Sequence, residues 1–298
     1  LQAYTPRSSS TPIFADAPAL VSALTATVRG ASSADFPKKS FNIKFTDDLG
    51  NGDAPALLDL PPQQRWALVG PWKYDLSYIK NNLLYALSNQ LGRWAPRTRL
   101  VEVFFHTGGG DIDTADYAGI YVVTDRVEVS KKRVDLDNLA PNELSGSDVT
   151  GGYVLKIDTP GSGDISWRTS RGQPNNGSSS VVLVTPDAGA IAPAQLTYIR
   201  DYVQRMEDAL YASRDTGWAE RKYLDYIDRA AWVDHHLLNT FTANPDALIR
   251  SAYFTKDRKG RLTAGPVWDF DRAFGSLWDE RSFRYNVWFG LGAAEVWD

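Results

Sequence analysis

Cysteine is absent from the 298-residue chain. That excludes disulfides, thiolate nucleophiles, cysteine-ligated zinc and iron–sulfur clusters. It leaves the compartment open, since an exported protein can lack cysteine. Histidine is nearly absent. His235 and His236 are adjacent within a helical pattern and face different sides, and only His106 remains, so packing roles are expected rather than a zinc site. Positive charge is not in excess: 32 basic residues stand against 36 acidic ones, a net charge of −4. Duplex nucleic acid as the main partner is thereby excluded, because binding phosphate needs a basic surface. No apolar run reaches the roughly 18 residues of a membrane-spanning helix, and no signal-peptide pattern opens the chain. G-x-S-x-G is missing, and Ser33, Ser40 and Ser251 form no recognisable triad, which disfavours a serine hydrolase. What is present is apolar and aromatic material, 43% and 12% of residues, enough for a large core. At about 150 residues per domain, two units are expected. The start at Leu1 and the aromatic stretch from Trp288 to Asp298 predict a fragment of a longer chain.

The first half reads as strands. Residues 1–25 are rich in Ser, Thr, Pro and Ala and are expected to be loosely ordered. Ser40–Phe45 alternates polar and apolar, and Trp66–Val69 is a short buried run ended by Gly70-Pro71. Leu76, Ile79, Leu83, Leu84, Leu87 and Leu91 follow helical spacing, with Asp75 placed to cap and Gly92 to stop. Leu100–Phe105 and Ala118–Val123 form a predicted hairpin around a Gly/Asp loop. Gly152–Ile157 and Val181–Val184 are further strands, separated by a long loop over 159–180. Asp111, Asp113 and Asp116 have calcium-loop-like spacing but lack the Gly and terminal Glu of an EF-hand, so they read as loop. From Pro193 the period becomes helical, over Ala194–Tyr211 and Tyr223–Phe241. A second hairpin then pairs Ala252–Thr255 with Leu262–Ala264. The order predicts an α+β protein with a strand-rich lobe over 26–190 and a helix-rich lobe over 191–298.

Two acidic turns bracket the second hairpin. Asp246 follows the last helix in Asn244-Pro245-Asp246, and Asp269 and Asp271 follow the last strand in Trp268-Asp269-Phe270-Asp271. A hairpin folds back on itself, so both turns can lie at one end of it. Three converging carboxylates suit a hard divalent cation. The order helix, Asp turn, hairpin, Asp-Phe turn is also that of the catalytic and metal-binding loops of protein kinases. Ser251 stands where a kinase carries Asn, five positions after the catalytic Asp, and Asp271 stands where D-F-G has Gly.

Several blocks resemble the CotH kinase family, the kinase-like spore-coat proteins and their relatives. They are Arg29-Gly30-Ala31-Ser32-Ser33 with Phe36-Pro37-Lys38-Lys39-Ser40-Phe41; Trp66-Ala67-Leu68 with Ala95-Pro96-Arg97-Thr98; Gly119-Ile120-Tyr121; Gly151-Gly152-Tyr153 through Asp158; and Asn244-Pro245-Asp246 with Gly265 through Gly275. The resemblance runs from about residue 28 to 290. It implies a two-lobed atypical protein-kinase-like fold using ATP and Mg²⁺ to phosphorylate Ser or Thr of a protein. By the family pattern Asp246 is the catalytic-loop Asp and Asp269 the metal-binding Asp. Asp271 is a second metal ligand in place of the missing Asn at Ser251. The chain departs from the pattern in carrying Asp125 where a strand Glu is usual. It also lacks G-x-G-x-x-G and V-A-I-K, leaving Gly30, Ser32 and Ser33 as the best phosphate-cradling loop.

Cofactor contacts are expected from the basic residues. Lys38 and Lys39 could meet ATP phosphates as point charges. Lys39 is favoured because it shares the strand face of Phe41 and Ile43. Arg29, Lys156 and Ser251 are weaker candidates, and Asn81 and Asn82 are expected to be structural. Three rivals stand beside the kinase reading: AMP transfer by the same acidic residues, a non-catalytic surface or adhesion module on the same fold, and a calcium-binding structural domain. Secretion or cell-surface placement follows from the resemblance alone.

Overall fold

The computed structural model describes residues 1–5, 17–47, 49–171, 179–247 and 249–283. The elements are β1 (Gln2–Ala3), β2 (Leu20–Val21), β3 (Ala23–Arg29), β4 (Ser40–Thr46), β5 (Arg65–Val69), α1 (Lys80–Gln90), β6 (Thr98–Phe104) and β7 (Tyr117–Asp125). They continue with β8 (Tyr153–Asp158), β9 (Ser166–Trp167), β10 (Ser180–Thr185), α2 (Pro193–Asp215), α3 (Arg229–Phe241), β11 (Ala252–Lys256) and β12 (Leu262–Ala264). The architecture is α+β. No helix among the described residues is long and apolar enough to cross a membrane. Two compact units emerge, one from 1–78 and 96–126, the other from 79–95 and 127–298. The expected boundary at 190 falls inside the second unit.

The first unit is an antiparallel sheet in the order β3-β4-β5-β7-β6. The alternation of β4 puts Ile43 and Phe45 into a core with Leu57, Leu60, Trp66 and Val123. The expected hairpin of β6 and β7 is present, with Leu100 opposite Val122. Its loop is turn structure: Asp113 accepts from Ala115 N at 2.7 Å, and Asp116 accepts from Asp113 N at 3.1 Å and meets His106 Nδ1 at 2.8 Å. The opening segment, expected to be loose, contributes a two-residue ladder of β1 with β2, and β3 begins at Ala23.

In the second unit the sheet order is β12-β11-β8-β10-β9, antiparallel throughout. One face, carrying Tyr153, Leu155, Ile157, Phe254 and Leu262, packs on Ile199, Val203 and Met206 of α2. These α2 residues lie within the helical period read over Ala194–Tyr211, and Pro193 opens the helix at its first turn. The loop expected over 159–180 contains β9, which pairs with β10. Its Asn/Gly/Ser run at 175–178 lies outside the described residues, as does the aromatic stretch at 288–298. Gly151 is fixed by close packing, since a Cβ there would lie 1.9 Å from Arg258 N.

Two helices start later than their periodicity predicts. Tyr78, at φ +60°, interrupts the first, so α1 begins at Lys80 with Ile79 at its cap. Asp75 is not the cap; its buried carboxylate accepts from Ser77 Oγ at 2.7 Å. Gly92, at φ +77°, ends α1 as expected. The helix expected from Tyr223 is a 3-10 turn over Lys222–Asp225 followed by α3, capped by Asp228 accepting from Ala231 N at 3.0 Å. Its buried face is Ala231, His235, Leu238 and Asn239, while Leu237 and Phe241 are exposed.

His235 has a measurable consequence. Burial, aided by the charge of neighbouring His236, pushes its imidazole down to about 4. Between pH 6.5 and 4 the unfolded chain binds a proton that the native protein does not, so stability falls with pH across that window, by on the order of 3 kcal/mol. Urea unfolding at pH 7 and at pH 4.5 checks this. The loss between the two is expected to shrink markedly in His235→Gln.

Candidate active site

The second unit brings the two acidic turns together. Ala243, at φ +49°, ends the helical run, and Asn244 Oδ1 accepts the Asp246 N–H at 3.2 Å. Asn244 is itself tied to Asn239, Nδ2 to Oδ1, at 2.8 Å. Asp246 O then accepts from Ile249 N at 3.1 Å and Arg250 N at 3.0 Å, so the turn is fixed on both sides of the carboxylate. That side chain is buried. Its charge is met by Arg281 Nη2 at 3.2 Å from Oδ1 and Arg272 Nε at 3.6 Å from Oδ2.

Asp269 sits at φ +65°, a left-handed conformation that costs a non-glycine residue on the order of 1 kcal/mol and persists where surroundings enforce it. Here α1 enforces it. Asn81 Oδ1 accepts from Phe270 N at 2.8 Å, Tyr85 OH accepts from Asp269 N at 3.3 Å, and Lys80 Nζ donates to Asp271 O at 3.0 Å. Phe270 is fully buried beside Leu84, Tyr85 and Leu238. Ser251 Oγ, just ahead of β11, donates to Asp269 Oδ2 at 3.0 Å. Phe274 N donates to Thr242 O at 2.7 Å. Thus Ser251 ties the start of the hairpin to the turn after its end, and Arg272 carries that turn to Asp246.

The three carboxylates do not form a preassembled cage. Among the described residues no three or more His, Asp or Glu side chains gather to hold a metal. Asp246 is drawn instead into ion pairs with two arginines.

Lys156 lies on β8 opposite Tyr253, on the face where Val154 packs with Trp268, the residue before Asp269. It pairs with Asp158 at 2.9 Å. Burial pulls its ammonium down, but Tyr253 and Asp158 outweigh this and leave it raised. Three other candidates belong to the first unit. Both lysines precede β4. Lys39 Nζ donates to Ala34 O at 2.8 Å, closing the Gly30–Asp35 turn. Lys38 Nζ donates to Ile120 O and lies 4.9 and 4.8 Å from the ring centres of Tyr78 and Tyr121. Arg29 ends β3 opposite Ser40, half-buried. Gly30 takes φ +112°, where a Cβ would lie 2.1 Å from Ser33 Oγ.

Asp125 is fully buried, and its Oδ2 takes both Arg97 Nε at 2.7 Å and Arg97 N at 3.1 Å. Sequence reasoning gave no role to Arg97, Lys80, Tyr85, Arg272, Asp279 or Arg281. Arg97 and Arg272 lie in the recognised blocks, which was their only signal. Asn81, read from sequence as structural, is placed against the acidic turn, where its Oδ1 accepts from Phe270 N.

A family model described as CotH kinase protein matches residues 26–296. The chain belongs to the CotH kinase family. No curated protein matches it. CotH membership makes this a kinase-like protein, and the match covers both acidic turns, α1 and strands β4 to β7 of the first unit.

Proposed function

We propose that this CotH-family chain is an atypical protein kinase that transfers the γ-phosphoryl group of ATP to Ser or Thr hydroxyls of a protein. The observation that carries the reading is the cross-bracing of two acidic turns at one end of the β11–β12 hairpin, through Ser251–Asp269 and Arg272–Asp246. Phosphoryl transfer asks mainly for positioned charge, and rigid turns provide it.

In this reading Asp246 orients the acceptor hydroxyl and receives its proton as the oxygen bonds to the γ-phosphorus and the bond from that phosphorus to the bridging oxygen of the departing ADP breaks. Asp269 and Asp271 hold Mg²⁺. One or two carboxylates completed by phosphate oxygens are the usual protein share of such a site, so the lack of a three-carboxylate cage fits. Bound there, the ion supplies charge neutralisation for the phosphates. Ser251 fixes the Asp269 carboxylate. Lys38 and Lys39 are the candidate phosphate cations, as point charges. Arg29 and Lys156 are subsidiary candidates. We place the acceptor among secreted, cell-surface or coat proteins, on the family resemblance.

Transfer assays with γ-labelled and α-labelled ATP and Mg²⁺ test this, offering a basic protein and a Ser-rich peptide. Label from the γ position only is expected, and Asp269→Ala is expected to lose it by at least about 10²-fold. Label from the α position would move the chemistry to AMP transfer. No label, with folded protein and no Mg·ATP binding, would favour a non-catalytic surface module.

A further inference from the structure

We propose that Asp279 is a positioning residue for Asp246, acting through Arg281 and Arg272, so that the catalytic carboxylate is held by a four-charge cluster rather than by its turn alone. The inference rests on the kinase reading for its consequence, and on the geometry of the cluster for its substance.

Asp279 faces both arginines that meet Asp246. Its Oδ1 accepts from Arg281 Nε at 2.8 Å, and its Oδ2 accepts from Arg281 Nη2 at 2.6 Å and Arg272 Nη1 at 3.1 Å. The Arg281 contact is a two-pronged fork, which fixes the guanidinium plane as well as its position. The same Nη2 reaches Asp246 Oδ1 at 3.2 Å, and Nη1 reaches Pro245 O at 3.4 Å. Arg272 approaches the other oxygen, Oδ2, at 3.6 Å. That is an ion pair too long for a hydrogen bond, so Oδ2 keeps acceptor capacity for a hydroxyl while Oδ1 is held.

Two positive and two negative groups balance, so the cluster is not an anion-binding pocket. Asp279 is buried and has its own support: its N–H donates to Ser276 O at 2.9 Å, and its O accepts from Ser282 Oγ at 2.9 Å. The paired guanidiniums, Arg281 foremost, hold the Asp279 carboxyl down at about 2. It therefore stays charged wherever a kinase would work. The order of support runs from the Ser276–Phe283 turn to Asp279, to the arginines, to Asp246. Losing such support behind a reacting group costs about 10- to 100-fold in rate.

The test uses Asp279→Asn, Arg281→Gln and the double variant in the full chain. Arg281 is 45% exposed at its side chain, so its replacement keeps the experiment open if Asp279→Asn fails to fold. Two readouts are taken. The first is the split between kcat and KM for ATP. The second needs no turnover: three-bond couplings from Asp246 Cγ to its backbone N and C′, which report the χ1 rotamer. The expectation is a kcat about 10- to 100-fold lower with KM for ATP little changed. Averaging of the Asp246 couplings is also expected, with the double variant no worse than the worse single, because the two residues act in series. A folded variant with kcat within about threefold of the parent and one unchanged rotamer overturns the proposal. Should the parent itself transfer no phosphate, the kinase reading fails, and the couplings alone decide whether Asp279 positions Asp246.

Discussion

Asp246→Asn is expected to lower kcat for phosphoryl transfer by about 10² to 10⁴-fold while leaving Mg·ATP affinity nearly unchanged. Asparagine keeps the shape and one acceptor oxygen but loses the charge and the ability to take a proton. The turn should survive, because it is fixed by backbone and by Asn244, not by the Asp246 carboxylate. The arginines should survive too, because Asp279 still pairs with both. Steady-state kinetics with calorimetric titration of Mg·ATP checks this. Equal losses of kcat and of nucleotide affinity would mean that Asp246 belongs to the nucleotide or metal site instead. Asp269→Ala supplies the contrast, since it is expected to lose nucleotide affinity in the presence of Mg²⁺.

The largest stability effect is expected at a different buried carboxylate, that of Asp125. Asp125→Ala should destabilise the fold by about 3–5 kcal/mol, the range for breaking a buried ion pair from one side. Asp125 is 0% exposed, at the end of β7 opposite Trp66. Its Oδ2 is the partner of both the guanidinium and the backbone N–H of Arg97. Removal takes the Oδ2 acceptor away from two donors at the point where the chain enters β6. Arg97 keeps some access to water, with 27% side-chain exposure, which favours the lower end of the range. Urea unfolding with an unchanged m-value and a lower midpoint checks it. A loss under about 1 kcal/mol would show that the pair is worth no more than a surface bridge.

What the sequence told, and what it withheld, follows from the range of the interactions involved. The two hairpins and α2 were legible because alternation and helical period are local, and Ile199, Val203 and Met206 need only α2 and a sheet face to be right. Helix starts were misread where a single left-handed residue, Tyr78, or a capping Asp228 overrode a continuing apolar pattern. The boundary at 190 misses the contact division because β8 takes β11 as a neighbour, a pairing of distant segments that no local period reveals. Asp246 and Asp269 are candidates by motif and order alone. Their supports were not legible. Lys80, Asn81 and Tyr85 read as helix surface and core, and Asp279 and Arg281 read as ordinary charge, until tertiary contacts placed them.

The β8 pairing has a consequence for how the chain is made. During synthesis β8 and β10 leave the ribosome well before β11, so β8 must wait with one side of its backbone unpaired. It carries Tyr153, Val154, Leu155 and Ile157, all buried in the finished protein, and its charges, Lys156 and Asp158, stand at its far end. Such an edge invites pairing with another chain. Any truncated product that ends before Ala252 would keep that edge open permanently. The β11–β12 hairpin that braces the acidic turns therefore also serves as the closing piece that makes the nascent protein safe from its own copies.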